Sequence, residues 1–307
     1  MKQVEQFITF PEYWQICKTY EHNAMRGLNK KEAKRVGGLA EVVDDFDLIV
    51  LDSWGVLHDT SPEAYPQAKA ALEMIREKNK KVVVLSNDAN ASKAGRLSSY
   101  EQKGLYFEVS ELFNGLDMLS TALKQYPKVR HWGGVYGSGL DLETAHQHCP
   151  ELVNITEDFK LIDAVEGIIL FTALVWNDAL EEAVCNSLAH LPRPVIVANP
   201  DICAPHGEKL QVTPGYAADR ILHNVGGDVT YVGKPFTIAF DTVCKSFPDI
   251  NRDRILMVGD TLHTDIMGAN NFGLKTLLVE KGVYKNSDVP SLCAESGIAP
   301  DFISEYI

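Results

Sequence analysis

Four polar clusters follow short apolar runs in this sequence, and their side chains are of types that bind metal ions or phosphate. The clusters are Asp52, Ser86 with Asn87, Lys234, and Asp260 with Asp265. A short apolar run bounded by turn signals is typical of a buried strand. In an open parallel sheet, ligands bind in the crevice beyond the carboxyl ends of the strands. We therefore expect the four clusters to meet in one crevice.

The combination of carboxylates, a lysine and a hydroxyl–amide pair suits phosphoryl chemistry. Mg²⁺ prefers oxygen ligands and usually takes one or two carboxylates together with water and phosphate oxygens. Ser86, Asn87 and Lys234 supply hydrogen-bond donors for phosphate oxygens. A carboxylate such as that of Asp52 can also be a covalent nucleophile in phosphoryl transfer. The clusters together predict a site for a metal ion and a phosphorylated ligand.

The hydrophobic pattern predicts two α/β units, one inserted in the other. Residues 47–126 show a strand, a helix, a strand and a further helix, and the strand pattern returns after residue 229. Between them, from Tyr126-Pro127, a second set of strands and a helix is predicted within 127–228. We predict a core domain formed by 1–126 and 229–307, interrupted by a second domain at 127–228.

Residues 1–46 carry no recognisable chemistry. The aromatic side chains between Phe7 and Trp14 suggest a short packed segment, and Asn29–Arg35 has the composition of a charged, solvated helix. We expect this stretch to be an N-terminal appendage on the core domain.

Composition limits the classes of function. The chain has 307 residues, enough for two domains, and a formal charge of −13 that argues against nucleic acid or an anionic membrane as partner. Six cysteines without a C-x-x-C pair predict free thiols in a reducing compartment. The absence of a membrane-length apolar stretch and of a signal-peptide core makes the cytoplasm the expected location.

The order and spacing of the clusters resemble the haloacid dehalogenase (HAD) superfamily. The matching motifs are the loop at Asp52, Ser86-Asn87, Lys234-Pro235 and Gly259-Asp260-x-x-x-x-Asp265. The insert resembles the class with a large α/β cap, the NagD-like or p-nitrophenylphosphatase-like group, at Tyr136–Leu140 and Ala198–Asp201. The resemblance implies an α/β fold: a doubly wound parallel sheet, the Rossmann-like HAD core, with an inserted α/β cap of the C2 type.

The resemblance also implies a role for each cluster. Asp52 would be the nucleophile that takes the phosphoryl group. The ligands of Mg²⁺ would be Asp52, the backbone carbonyl of Trp54 and Asp260, with Asp265 helping directly or through water. Ser86, with Asn87 beside it, would bind the phosphoryl group, and Lys234 would balance its charge and that of Asp52.

The cap of this class lies over the active site and contacts the leaving group. The turn containing Asn199 and Asp201 is therefore a candidate for substrate contact, although Pro200 between them equally favours a structural turn. Caps of this class often take part in dimers, so a homodimer through the cap is one expected arrangement. The expected partner is a small phosphorylated metabolite, such as a sugar phosphate.

Trp54 departs from the family pattern. Active members usually carry a second aspartate two residues after the nucleophile, which protonates the leaving alcohol, and the indole of tryptophan is a donor without a useful pKa. Loss of general acid catalysis costs about 10²–10⁴ in rate. Three interpretations stand: the substrate has a good leaving group, His58 or Asp59 substitutes for the acid, or the protein binds its ligand with little turnover.

A nicotinamide-dependent oxidoreductase is a weaker alternative. It rests on Gly137-Ser138-Gly139, which lacks the third glycine of a dinucleotide-binding motif. The leading prediction is a Mg²⁺-dependent phosphohydrolase that forms an aspartyl-phosphate on Asp52. The alternative is a low-activity protein that binds metal and phosphate at the same site.

Overall fold

The computed structural model describes residues 6–19 and 32–307, in which strands and helices alternate along most of the chain. The strands are β1 Phe7–Ile8, β2 Lys34–Arg35, β3 Leu48–Leu51, β4 Lys81–Ser86, β5 Leu112–Asn114, β6 Trp132–Val135, β7 Leu152–Asn154, β8 Gly167–Leu170, β9 Val195–Val197, β10 Cys203–His206, β11 Lys209–Val212, β12 Val229–Tyr231, β13 Ile255–Gly259, β14 Lys275–Val279 and β15 Phe302–Ser304. The α-helices are α1 Phe10–Thr19, α2 Pro66–Glu77, α3 Lys93–Gln102, α4 Gly115–Leu123, α5 Leu142–His148, α6 Asp178–His190, α7 Pro214–Val225, α8 Thr237–Ser246, α9 Met267–Phe272 and α10 Val289–Ser296.

The core sheet has seven parallel strands in the order β2-β15-β14-β13-β3-β4-β5. Strand β3 lies between β13 and β4, and Leu51 near its end stands opposite Val258 on one side and Val84 on the other. The carboxyl ends of these three strands therefore meet at one edge of the sheet. This confirms the α/β fold with a doubly wound parallel core.

Helices cover both faces of this sheet, which explains the continuous apolar runs of its strands. Leu48 and Val50 pack into the cluster that includes α4 and α8, while Ile49 and Leu51 pack into the cluster that includes α2. All four side chains are fully buried. A parallel strand buried on both faces needs apolar residues at every position rather than at alternate ones.

The second sheet has five parallel strands in the order β12-β9-β8-β6-β7, and we call it, with its helices, the cap. The predicted start of the returning core domain at residue 229 is too early. Val229 pairs with Val195, and Val232 still donates its N–H to the carbonyl of Val197 at 2.9 Å. The chain leaves the cap sheet after these hydrogen bonds are made.

Strands β10 and β11 form an antiparallel hairpin attached to the cap, and β1 adds a third strand to it. Helix α1 follows at once and packs on the core domain, where Tyr13 and Trp14 join a buried cluster with Leu262 and Tyr284. Residues 6–19 therefore bridge the cap and the core. The prediction of an appendage on the core alone is wrong, because main-chain pairing with β11 binds the segment to the cap as well.

The charged helix predicted for Asn29–Arg35 begins outside the described residues, and its described end is a strand. Lys34 and Val36 donate their N–H groups to the carbonyls of Asp301 and Ile303 at 2.9 Å each, which makes β2 the edge of the core sheet. Pairing with β15 outweighs the helical preference of the lysines and arginine in this stretch.

The six cysteines are free thiols, as predicted, and Cys17, Cys149, Cys185 and Cys203 are buried. Within the part of the chain that the structure describes, no helix combines the length and apolar character that a membrane crossing requires.

Candidate active site

Three of the predicted clusters stand at the ends of adjacent core strands. Asp52 directly follows β3, Ser86 is the last residue of β4, and Asp260 directly follows β13. Because these strands are parallel neighbours, their ends place the three side chains at one edge of the sheet. The crevice expected from the sequence is thus formed by β3 and the strands on either side of it.

Lys234 connects two of the carboxylates. Its Nζ lies 2.5 Å from Oδ1 of Asp52 and 2.7 Å from Oδ1 of Asp265, and only 1% of its side chain is exposed. Burial lowers the pKa of Lys234, but the carboxylates of Asp265 and Asp52 outweigh burial and raise it. The lysine is therefore a fixed positive charge between the two acids.

Burial raises the pKa of Asp52 to about 7, although Lys234 acts in the opposite direction and Asp265 adds to the rise. Burial also raises the pKa of Asp260 well above its ordinary value, and the Asp52 carboxylate adds to the rise. One lysine thus stands among three buried carboxylates. The excess of negative charge favours a divalent cation at this point.

Carboxylate oxygens of Asp52, Asp260 and Asp265 lie within 4.8 Å of one another, close enough to share a metal ion. Asp260 is oriented by the Val283 N–H, which donates to Oδ2 at 2.8 Å, and by the Thr261 hydroxyl, which donates to Oδ1 at 2.9 Å. The oxygen ligands and their spacing fit Mg²⁺.

The Asp265 carboxylate accepts hydrogen bonds from the main chain of its own loop. Its Oδ2 accepts the N–H groups of Asp260 and Thr261 at 3.1 Å each, while its Oδ1 faces Lys234. Asp265 lies on a π-helical turn, Leu262–Ile266, a geometry frequent at functional sites. The carboxylate therefore orients the loop that carries Asp260, in addition to lying close enough to Asp52 and Asp260 to share a metal ion with them.

Asn87 positions Lys234. Its Oδ1 accepts the Lys234 N–H at 2.7 Å, and its Nδ2 donates to the Lys234 carbonyl and to Oδ1 of Asp201, both at 3.0 Å. Both amide hydrogens are used by protein partners, and the phosphate contact of Asn87 stays a prediction. Ser86 lines the cavity, and its Oγ accepts the Asp88 N–H at 3.2 Å, which leaves its O–H free to donate.

A cavity of about 160 Å³ lies over Asp52, between the core and the cap. The core contributes Asp52, Trp54 and Ser86, and the cap contributes Asn199 and Asp201. Burial raises the pKa of Asp201 to about 6. The two cap residues singled out in the sequence therefore face the same cavity as Asp52, and Asp201 also contacts Asn87.

Trp54 lines the cavity, and its side chain packs against His58, with ring centroids 4.8 Å apart. The turn between them needs Gly55: its φ is +81°, and a Cβ there would lie 1.9 Å from Oδ2 of Asp260. A side chain at residue 55 would therefore collide with the Asp260 carboxylate, and the glycine lets the Trp54 loop pass close to it.

His58 is a buried structural residue. Its Nδ1 lies 2.9 Å from the carbonyl of Asp59 and so carries the proton, while its Nε2 lies 3.1 Å from Oγ of Ser53. Burial lowers the pKa of His58 to about 4, which keeps the ring neutral. Asp59 accepts the N–H of Ser61 at 2.7 Å, and neither His58 nor Asp59 lines the cavity. The structure does not support either residue as the replacement acid.

Several lining residues were missed by sequence reasoning. Asp88 and Asn90 follow the Ser86-Asn87 motif in sequence and continue its polar run. The motif itself ends at Asn87 and so did not include them. Thr172 lies two positions after the last residue of β8, and the strand predicted from the sequence already indicated that it follows a strand end. Gln211 belongs to the hairpin, which had no recognisable strand signal.

Comparison with known proteins is consistent with this geometry. The family "Haloacid dehalogenase-like hydrolase" matches residues 49–147, and a second family, HAD-hydrolase-like, matches residues 231–307. The 4-nitrophenylphosphatase of Schizosaccharomyces pombe is 24% identical over 87% of this chain and 94% of its own length. Phosphoglycolate phosphatase 1A of Arabidopsis thaliana is 25% identical over 87% of this chain and 77% of its own.

Solved structures show the same fold. A possible sugar phosphatase of the HAD superfamily from Cytophaga hutchinsonii superimposes with a TM-score of 0.78 at 24% identity, over 89% of this chain and 98% of its own. NagD from Escherichia coli K-12 superimposes with a TM-score of 0.62 at 21% identity, over 85% of this chain and 96% of its own. The two family matches together cover more than half of the chain. The chain therefore belongs to the haloacid dehalogenase-like hydrolases, and its fold is similar to that of NagD.

Proposed function

We propose that this protein is a Mg²⁺-dependent phosphohydrolase that acts on a small phosphorylated metabolite through an aspartyl-phosphate on Asp52. The observation that carries the proposal is the placement of the Asp52 carboxylate in the cavity, 2.5 Å from the buried Lys234 and beside the Asp260 and Asp265 carboxylates. The phosphatase names of the relatives in this family support the reaction class.

In the first step, an Asp52 oxygen forms a bond to phosphorus and the bond from phosphorus to the leaving oxygen breaks. In the second, water attacks phosphorus, inorganic phosphate leaves and the Asp52 carboxylate is restored. Lys234 holds Asp52 in place and offsets its charge, and Ser86 donates its O–H to a phosphoryl oxygen. Mg²⁺, bound by Asp52, Asp260 and the Trp54 carbonyl, would neutralise charge on the phosphoryl oxygens.

The leaving oxygen departs without help from residue 54, because an indole has no proton to give at neutral pH. Since His58 is buried and neutral and Asp59 lies outside the cavity, the reaction favours leaving groups that are stable as anions. Acyl and aryl phosphates are such substrates, and alkyl phosphates should react more slowly.

Phosphate release from acetyl phosphate, p-nitrophenyl phosphate and glycerol 3-phosphate, with and without Mg²⁺, tests the proposal. Asp52→Asn should remove turnover completely and leave the unfolding transition in place, since the side chains are nearly isosteric. Undiminished turnover by this variant rules out the aspartyl-phosphate.

A second candidate is a protein that binds metal and phosphate with little turnover. Trp54 favours it, because the indole stands in the cavity beside Asp52. Absence of phosphate release from all three compounds, together with Mg²⁺-dependent binding of phosphate in calorimetry, would select this candidate. The cytoplasmic location and the homodimer through the cap stay predictions.

A further inference from the structure

The side chains that line the cavity over Asp52 are neutral or acidic. Among the described residues that line it, none is a lysine, arginine or histidine. Neutral polar side chains line it instead: Asn90, Thr172, Asn199 and Gln211. These amides and hydroxyls are donors and acceptors for hydroxyl groups.

Two carboxylates, Asp88 and Asp201, line the cavity in addition to Asp52. Asp88 accepts the N–H of Asn90 at 2.8 Å through Oδ1 and forms an ion pair with Arg96 through Oδ2. Arg96 does not itself line the cavity, and its positive charge is neutralised by the ion pair with Asp88. It is therefore not available to a ligand.

The positive charge of Lys234, on the core side of the site, is also neutralised by neighbouring carboxylates. Lys234 already faces Asp52 and Asp265, and a bound Mg²⁺ would face Asp52, Asp260 and the phosphoryl group. A second anionic group on the substrate would thus be buried beside Asp88 and Asp201 without a counter-ion. Burial of an unpaired charge is strongly unfavourable.

We propose that the cavity selects phosphates whose leaving group is small, uncharged and hydroxylated, and rejects those whose leaving group carries a carboxylate. This rests on the proposed function, because it concerns the substrate of the same site. The volume of about 160 Å³ supports the small size, since pockets for drug-sized ligands measure roughly 300–1,000 Å³.

Glycerol 3-phosphate and 3-phosphoglycerate form a matched pair for the test, because they differ mainly in a terminal hydroxymethyl group against a carboxylate. We expect kcat/KM for glycerol 3-phosphate to be about 100-fold higher at saturating Mg²⁺, the effect of one unpaired charge in a partly buried site. An equal or higher kcat/KM for 3-phosphoglycerate overturns the inference.

Asp88→Asn gives an internal check. The asparagine keeps an acceptor for the Asn90 N–H but leaves Arg96 without its ion-pair partner, so Arg96 can attract a substrate carboxylate. The ratio of kcat/KM for glycerol 3-phosphate to that for 3-phosphoglycerate should therefore fall about 10-fold. The matched control is Asp241→Asn, which makes the same chemical change beside Lys245 on the exposed face of α8 and should leave the preference unaltered. A preference that is unchanged in Asp88→Asn contradicts the electrostatic argument.

Failure of the proposed function is separable from failure of this inference. If none of acetyl phosphate, p-nitrophenyl phosphate and glycerol 3-phosphate is hydrolysed, the phosphohydrolase proposal fails. Calorimetric binding of the two matched phosphates with Mg²⁺ then still tests the inference: weaker binding of 3-phosphoglycerate supports it, and equal affinity overturns it.

Discussion

The two walls of the active-site cavity are built on opposite principles. The core wall is charged and fixed: Asp52, Lys234 and Asp265 are joined by ion pairs of 2.5 and 2.7 Å, with Asp260 beside them. The cap wall consists mostly of neutral side chains on loops and on the β-hairpin. Under the proposed function, the core would bind the shared part of a substrate, the phosphoryl group, and the cap would contact the variable part.

The walls also differ in what holds them in place. In the core wall, Asp52 and Asp260 directly follow adjacent strands of a seven-stranded sheet, so their positions follow from the sheet, while Asn87 holds the main chain of Lys234. Part of the cap wall stands on strand β11, whose outer partner is β1 from the N-terminal segment. The N-terminal segment should therefore influence substrate selection without touching the reacting atoms.

The largest effect is expected where the core wall loses its lysine. Lys234→Met keeps most of the side-chain volume but leaves Asp52 and Asp265 without their counter-ion, so the free energy of unfolding in EDTA should fall by about 3 kcal/mol. Turnover should fall about 10³-fold if Lys234 has its proposed role of balancing charge next to the phosphoryl group. Urea denaturation and phosphate release measure the two effects.

Lys245→Met is the control for this change. Lys245 pairs with Asp241 on the surface, and its side chain is 75% exposed. The control should leave both the unfolding midpoint and the turnover nearly unchanged. Equal stability of the two variants would show that the buried lysine does not compensate the two carboxylates.

A smaller effect, with the opposite sign, is expected at Trp54, where the core wall departs from its family. Trp54→Asp places a carboxyl group in the cavity, and kcat for glycerol 3-phosphate should rise about 10²-fold, the lower end of the range for general acid catalysis. The rate with acetyl phosphate should change little, because acetate leaves without a proton.

Trp54→Asn distinguishes acid catalysis from added space. Asparagine has the size of aspartate but no proton to donate, so it should give no increase with glycerol 3-phosphate. If both variants accelerate the reaction equally, the bulk of the indole rather than its lack of acidity limits the native rate.

The core wall was predictable because its signals are local. Leu48–Leu51 and Ile255–Gly259 are apolar runs followed by acids, and parallel strands bring such acids to one edge. The pairing of Lys234 with Asp52 and Asp265 was not readable, because it depends on Asn87 holding the Lys234 main chain from 147 positions away. Nor could the sequence show that His58 is buried with both ring nitrogens hydrogen-bonded.

The cap wall was less predictable because its pairing is long-range. Strand β10 contains Pro205, and Gly207 lies in the turn, so the hairpin lacks an apolar run of the kind that marks the core strands. Its third strand, β1, comes from the N-terminal segment, far from the hairpin in sequence, and is only two residues long. No periodic pattern can mark so short an element.

The smallest effect is expected where the N-terminal segment meets the cap. Val212 donates its N–H to the Gln6 carbonyl at 2.9 Å, so the antiparallel alternation places Ile8 and Leu210 in the next hydrogen-bonded pair. Ile8→Pro removes the N–H of residue 8, which donates to Leu210 in this register, and should loosen the hairpin. The KM for glycerol 3-phosphate should then rise about 5-fold, as expected when the binding-competent state loses about 1 kcal/mol.

Ile8→Ala is the matched control, because it shortens the side chain but keeps the main-chain donor. The KM of Ile8→Ala for glycerol 3-phosphate should stay near the native value. The kcat with acetyl phosphate should stay near native in both variants, since the ion pairs around Lys234 are on the core wall. An increase in KM of equal size in both variants would assign the effect to side-chain packing. A fall in kcat with acetyl phosphate in Ile8→Pro would show instead that the N-terminal segment acts on the core wall, where Trp14 packs against His263 in the Asp260–Asp265 loop with ring centroids 5.3 Å apart.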